Sequence, residues 1–172
     1  MTALLVLTGA SGAGKTTLVR ELAGRGIPGL RTYHFDSIGV PTPEEMVAKY
    51  GSGESWQEAM TRRWIERLLA NPDGASAMVL EGQMRPHLVR AAWGSAAMNR
   101  GVALVDCTAE DRRARLGGPR DQPELATARM DSWAAYLRGQ ADALGLPIID
   151  TSRLTLQGAV DALADLLKES SR

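Results

Sequence analysis

Residues Gly9-Ala10-Ser11-Gly12-Ala13-Gly14-Lys15-Thr16-Thr17 follow the order Gly-x-x-x-x-Gly-Lys-Thr, directly after the apolar run Ala3-Leu4-Leu5-Val6-Leu7. Glycines at this spacing let a backbone curl tightly and bring its N–H groups to phosphate oxygens with no Cβ in the way. Lys15 then reaches the β- and γ-phosphates of a nucleoside triphosphate, and Thr16 offers its hydroxyl to Mg²⁺. The residues from Thr16 to Ala23 predict a helix whose N-terminal dipole faces the same phosphates.

Chemistry on a triphosphate needs mainly positioning and charge neutralisation, so a cradle calls for a metal acid, a group that orients the nucleophile and mobile arginines. Val79-Leu80-Glu81 is an apolar run ending in a carboxylate, the pattern of an acid that holds Mg²⁺ directly or through water. Its competing role is to cap the following turn. In Tyr33-His34-Phe35-Asp36-Ser37, period-two alternation puts His34 and Asp36 on one face of a strand. A carboxylate at that strand's end can accept the proton of an attacking hydroxyl, or else cap the Ser37 to Gly39 loop. His34 has no partner nameable from sequence and is expected to pack or hydrogen-bond. Arg112, Arg113, Arg115 and Arg120 surround Gly117-Gly118-Pro119. Arg112 and Arg113 read as a charged helix face. Arg120 lies past the flexible turn, where a lid spanning about 112–122 can swing a guanidinium onto a phosphoryl group. Of Trp56, Trp64, Trp93 and Trp133, most are expected to be core or packing residues, and Trp56 is a candidate to stack on a planar acceptor.

The elements that must hold these groups alternate along the chain. Strands are expected at Ala3 to Thr8, Arg31 to Asp36, Ala77 to Glu81, Val102 to Cys107 and Pro147 to Asp150. Helices are expected at Lys15 to Ala23, Pro43 to Tyr50, Ser55 to Ala70, Pro86 to Asn99, Ala109 to Leu116, Glu124 to Leu144 and Thr155 to Glu169. Thr42 before Pro43 with Glu45 three residues on, Ser55, and Thr155 before Leu156 are helix-start signals. This alternation predicts an α/β fold, a three-layer α/β/α sandwich around a five-stranded parallel sheet, with an acceptor-side insertion at about 37–75. Ligands of such sheets bind beyond the carboxyl ends of the strands, where Asp36 and Glu81 fall.

At 172 residues with 44% hydrophobic content, the chain is expected to form one domain over 1–172 with a substantial core. A formal net charge of zero gives no global attraction to nucleic acid, so any nucleic acid enters as an acceptor only. The lone cysteine, Cys107, excludes an intrachain disulfide and is expected to pack. No apolar stretch reaches membrane-spanning length and Met1 leads directly into the first strand, so we expect a cytoplasmic protein without membrane association.

With cradle, post-strand aspartate, acid after the third strand and arginine lid in place, the chain resembles the small P-loop kinases of the nucleoside-monophosphate-kinase-like group. That group includes adenylate, shikimate, gluconate and polynucleotide kinases. Ile148-Ile149-Asp150-Thr151-Ser152 looks like the end of the last strand in the shikimate and gluconate kinases, where the following loop lines the adenine pocket. Glu81-Gly82-Gln83-Met84-Arg85 is similar in outline to the Asp-Gly-x-Pro-Arg segment of nucleoside monophosphate kinases, whose arginine holds the acceptor phosphate, although here the acid is Glu and the proline is absent. Asp36 matches the aspartate that hydroxyl-phosphorylating members use as base. The resemblance implies an ATP- and Mg²⁺-dependent transfer to a hydroxyl. Its catalytic residues would be Lys15, Asp36 and Arg120, with metal held by Thr16 and Glu81. Nucleotide contacts would come from Gly9 through Thr17, Arg112 and Thr151, and acceptor contacts from Asp36, Trp56 and Arg85. A nucleoside monophosphate kinase and a nucleotide-sensing regulatory ATPase are the alternatives.

Overall fold

The computed structural model describes residues 2–71, 73–94 and 100–170, with the backbone alone at Arg100. Strand β1 (Ala3–Thr8) is buried along its whole length, as its unbroken apolar run requires of a strand covered on both faces. It is the centre of a five-stranded parallel sheet in the order β2-β3-β1-β4-β5, completed by β2 (Leu30–His34), β3 (Ala77–Gly82), β4 (Arg100–Asp106) and β5 (Ile148–Asp150). Alternation along β1 sends Leu5 and Leu7 to one face, under α1 (Lys15–Gly24) and α7 (Leu156–Glu169). Leu4 and Val6 face the other way, into a cluster with Trp64, Ile65 and Leu68 of α3 (Gly53–Ala70) and Val89 of α4 (Pro86–Trp93). Helix α6 (Ala128–Leu144) extends that layer by packing Leu137 and Ala141 on Leu104 of β4. The chain therefore leaves β1 toward one layer and β3 toward the other, which opens a crevice at their carboxyl ends.

Capping fixes several helix starts. The Thr42 hydroxyl accepts from Glu45 N–H at 3.2 Å while the Glu45 carboxylate accepts from Thr42 N–H at 2.8 Å, so α2 (Pro43–Tyr50) opens with a complete capping box. Thr108 caps α5 (Ala109–Gly117) and Thr155 caps α7 in the same sense. Helix α3 starts two residues before the expected Ser55, because Ser52 is the cap and Ser55 N–H donates to its hydroxyl at 3.0 Å.

Further boundaries near the crevice differ from the sequence reading. Strand β2 stops at His34, and Phe35–Ile38 turns as a short 3-10 helix, so the two-residue alternation does not run on to Asp36. The stretch expected to be helical from Glu124 begins as a 3-10 turn at Pro123–Leu125, and α6 starts only after the Thr127 cap. Residues 112–117 of the expected lid are the body of α5, so the irregular segment is limited to 118–127. Helix α4 is described to Trp93, and the expected continuation over 95–99 lies outside the described residues.

Candidate active site

The loop after β1 is pressed against two neighbouring elements. A Cβ on Gly9 would strike the Val105 carbonyl of β4, and one on Gly12 would lie 3.0 Å from both Arg112 Cγ and Leu116 Cγ of α5. Side chains at these positions would push the loop off its support, which is the physical reason for glycine at both. Lys15, the first residue of α1, is 6% exposed and donates from Nζ to the Ala10 carbonyl at 3.0 Å. Among the described residues no carboxylate lies within ion-pair distance of that ammonium. Burial lowers its pKa from 10.5 to about 8, assisted by the Arg120 charge and opposed by Glu81 and Asp36. A buried cation without a matched anion, at the start of α1, fits a phosphate chain.

Thr16 follows on α1, and its hydroxyl donates to Glu81 Oε1 at 3.0 Å. Glu81 is 7% exposed and is opposite His34 in the parallel β2–β3 register. His34 Nδ1 stands 2.7 Å from the same Oε1. The strand histidine thus finds its partner in the acid of the adjacent strand, a pairing visible only once the register is known. Thr16 and Glu81 are an oxygen pair suited to Mg²⁺, which keeps waters and phosphate ligands rather than needing a full protein cage. No cluster of three or more His, Cys, Asp or Glu residues suited to a metal exists among the described residues.

Asp36 reaches this group from its 3-10 turn. The turn is held by Trp64, whose indole N–H donates to the Phe35 carbonyl at 3.1 Å, and by Gly39 N–H donating to the Asp36 carbonyl at 3.0 Å. Asp36 is solvent-exposed, yet partial desolvation raises its pKa and the Glu81 carboxylate raises it further, while Lys15 and His34 pull the other way. Asp36 also lines a cleft of about 1060 Å³ between the turn, the start of α3, the segment after β3 and the start of α6.

Arg85 lines this cleft. Its guanidinium lies 5.0 Å from the centre of the Trp133 ring, which itself stacks on Tyr136 at 5.4 Å. Arg85 also donates from Nη1 to Gln57 Oε1 at 2.9 Å, and its Nη2 is 4.0 Å from a Glu54 carboxylate oxygen. Trp133 is half-buried: it packs against the cluster of Leu104, Leu137 and Ala141 and also forms part of the cleft wall. Trp56 is 6% exposed and packs edge-on against Phe35 at 6.0 Å, so it contributes to the cleft floor with little ring face left open.

The arginines after β4 divide differently from the sequence expectation. Arg112 is 3% exposed and lies beneath the loop, bonded to Asp131 at 3.1 Å and to the Cys107 carbonyl at 3.1 Å, with Asp106 at 3.5 Å. It is a buried strut and not part of a solvated helix face: Nη1 and Nη2 donate to protein, while its buried Nε has no partner among the described residues. Arg113 is exposed and ion-pairs with Asp131. Arg115, one turn further on, was not assigned from sequence. It donates to the Gly12 and Ala13 carbonyls at 3.3 Å each and to the Thr151 hydroxyl at 2.8 Å, while that hydroxyl donates to the Ala13 carbonyl at 2.8 Å. Arg115 and Thr151 so join the loop after β5 to the phosphate loop. They line a smaller cavity of about 250 Å³ with Thr17, Leu18, Leu154 and Leu156, apolar enough on one side for a planar base. Arg120 is exposed, donates from Nε to Gln122 Oε1 at 3.0 Å, and acts on Lys15 through its charge. Cys107 is buried under the loop, as packing requires.

Sheet order, loop and crevice together are the fold of the small P-loop kinases. A shikimate kinase from Acinetobacter baumannii, solved with shikimate, superposes with a TM-score of 0.63 at 16% identity, covering 98% of this chain and 94% of that one. A sugar kinase from Janibacter sp. HTCC2649, solved without ligand, gives 0.60 at 17% identity, covering 99% and 97%. No protein-family model and no curated protein matches the sequence. At such identities the likeness establishes the fold, and the chemistry must be argued from this chain's own residues.

Proposed function

We propose that the protein is an ATP- and Mg²⁺-dependent kinase that transfers the γ-phosphoryl group to a hydroxyl of an acceptor held in the larger cleft. One observation carries this reading: Asp36 is at once a wall of that cleft and within the charge field of Lys15 and Glu81. The triphosphate lies along residues 9–17, with the base against Arg115 and Leu154 near Thr151. Lys15 neutralises charge on the β- and γ-phosphates. Thr16 and Glu81 would hold Mg²⁺, which would offset the charge of the phosphates. Asp36 accepts the proton as the acceptor oxygen forms its bond to γ-phosphorus, the bond to the bridging oxygen breaks, and ADP leaves. Arg120, carried on the 118–127 segment, adds charge when that segment closes. The acceptor is a small molecule, a nucleoside or a hydroxyl on a modified nucleic acid. No described helix is long and apolar enough to cross a membrane.

Arg85 on the cleft wall favours a second reading, a nucleoside monophosphate kinase. Glu54, close to that guanidinium, weighs against it, because a carboxylate there repels an acceptor phosphate. Incubation with γ-labelled ATP and parallel panels of hydroxylated metabolites, nucleosides, modified DNA and nucleoside monophosphates separates the readings. Label on a hydroxyl supports the proposal. Label on monophosphates alone, or ATP hydrolysis that no acceptor stimulates, overturns it, the latter in favour of a regulatory ATPase.

A further inference from the structure

Between the phosphate loop and the acceptor cleft runs a continuous set of hydrogen bonds that the kinase reading does not use. Gln83, just past β3, donates from Nε2 to the Ser11 hydroxyl at 3.0 Å. Its backbone carbonyl accepts from Gln57 Nε2 at 3.0 Å. Gln57 Oε1 accepts from Arg85 N–H at 3.1 Å and from Arg85 Nη1 at 2.9 Å. The chemistry fixes the orientation of the Gln57 amide. A backbone N–H and a guanidinium only donate, so they demand its oxygen, and a backbone carbonyl only accepts, so it demands its nitrogen. Flipping Gln57 would set like groups against each other at all three contacts.

Ser11 is 7% exposed, and Gln57, Gln83 and Arg85 are half-buried, so water competes poorly for these bonds. The two glutamines come from different elements, α3 and the segment that leads from β3 into α4, and meet because these pack together on one face of the sheet. A loop that tightens around phosphates restrains the Ser11 hydroxyl. Through Gln83 it restrains residues 83–85, and through Gln57 it fixes the guanidinium that stacks on Trp133.

We infer that Gln83 and Gln57 are positioning residues that couple nucleotide in the phosphate loop to the setting of Arg85 in the acceptor cleft, so that the cleft is ordered for its acceptor once the triphosphate is bound. Reciprocity requires the acceptor to tighten nucleotide binding by the same factor, and such couplings are typically about 5- to 150-fold. The inference rests on the kinase reading in taking residues 9–17 as the nucleotide site.

The test is amide hydrogen exchange on the full chain, with and without the β,γ-imido analogue of ATP plus Mg²⁺, because Arg85 N–H is itself a bond of the network and reports on it without any acceptor. The expected result in the parent protein is slower exchange both across 9–17 and, severalfold, at Arg85. In Gln83→Met the protection of 9–17 should remain while the nucleotide effect at Arg85 disappears. In Gln57→Met, which replaces a separate element of the chain, Arg85 N–H should exchange fast in both states. Protection of 9–17 without any change at Arg85 in the parent protein overturns the coupling and leaves the nucleotide site intact. Persistence of the Arg85 effect in either variant that folds does the same. Absence of protection over 9–17 in the parent protein overturns the nucleotide reading itself, and the coupling with it.

Discussion

His34 Nδ1 stands 2.7 Å from Glu81 Oε1, the oxygen that also accepts the Thr16 hydroxyl hydrogen. Two donors therefore pin one oxygen of the carboxylate and fix how the other is presented. The pairing follows from the register that sets His34 opposite Glu81 across β2 and β3.

A residue that orients a metal-holding carboxylate tunes metal affinity without touching the metal. Replacing such an outer partner typically costs about 10- to 100-fold. His34→Ala should raise the Mg²⁺ needed for half-maximal turnover on that scale while leaving kcat at saturating Mg²⁺ near the parent value. An unchanged Mg²⁺ titration would remove His34 from the site.

Lys15 gives a pH signature with a definite sign. Its folded pKa of about 8 lies below the ordinary 10.5, so between those values the unfolded chain binds a proton that the folded chain does not. The stability of the nucleotide-free protein should therefore rise from about pH 8 to pH 10.5, and this rise should vanish in Lys15→Met. Triphosphate binding stabilises the charged lysine, so calorimetry at pH 8 in buffers of different ionisation enthalpy should record proton uptake. Turnover in Lys15→Ala should fall by about 10²- to 10³-fold, as for loss of one preorganised donor.

Arg112 and Arg120 should separate cleanly. Arg112→Ala leaves Asp106 and Asp131 without their buried partner, and breaking such a pair typically costs about 3 to 5 kcal/mol. The loss should lie near the lower end, because Arg113 and Arg138 remain on those carboxylates, and denaturant unfolding measures it. Arg120→Ala, at an exposed site, should leave stability alone and lower kcat far more than it raises KM for ATP. Arg120→Lys should rescue poorly, since a point charge does not reproduce a planar fork. Equal kcat in all three Arg120 forms would show that the segment takes no part in transfer.

What was legible in the sequence had local causes. The phosphate loop, the five strands and the Thr42 and Thr155 caps depend on patterns within a few residues. The position of Asp36 was read from an alternation that stops at His34, and the residue nonetheless enters the field of Lys15 and Glu81 because Trp64 anchors its turn. The Glu81 partner of His34, the Thr151 partner of Arg115 and the Gln57–Gln83 contacts join segments 26 to 47 residues apart. No local pattern carries such information, since it is created when strands take their register and layers close. Arg112 shows the converse: a charge run suggests a solvated face, but helix α5 turns that one residue under the loop.

The most direct test of the central claim is the Asp36→Asn variant, with nucleotide affinity and label transfer from γ-labelled ATP measured side by side. The account predicts near-parental affinity for the ATP analogue and a fall in transfer of about 10²- to 10⁴-fold, the usual contribution of a general base. In the parent protein, transfer should also decline on acidification at a pH above the ordinary aspartate range, because partial desolvation and Glu81 raise the pKa of the carboxylate that must be ionised to act. Full transfer by Asp36→Asn would contradict the account, and collapse of nucleotide binding would move Asp36 to the metal site and leave Glu81 as the base.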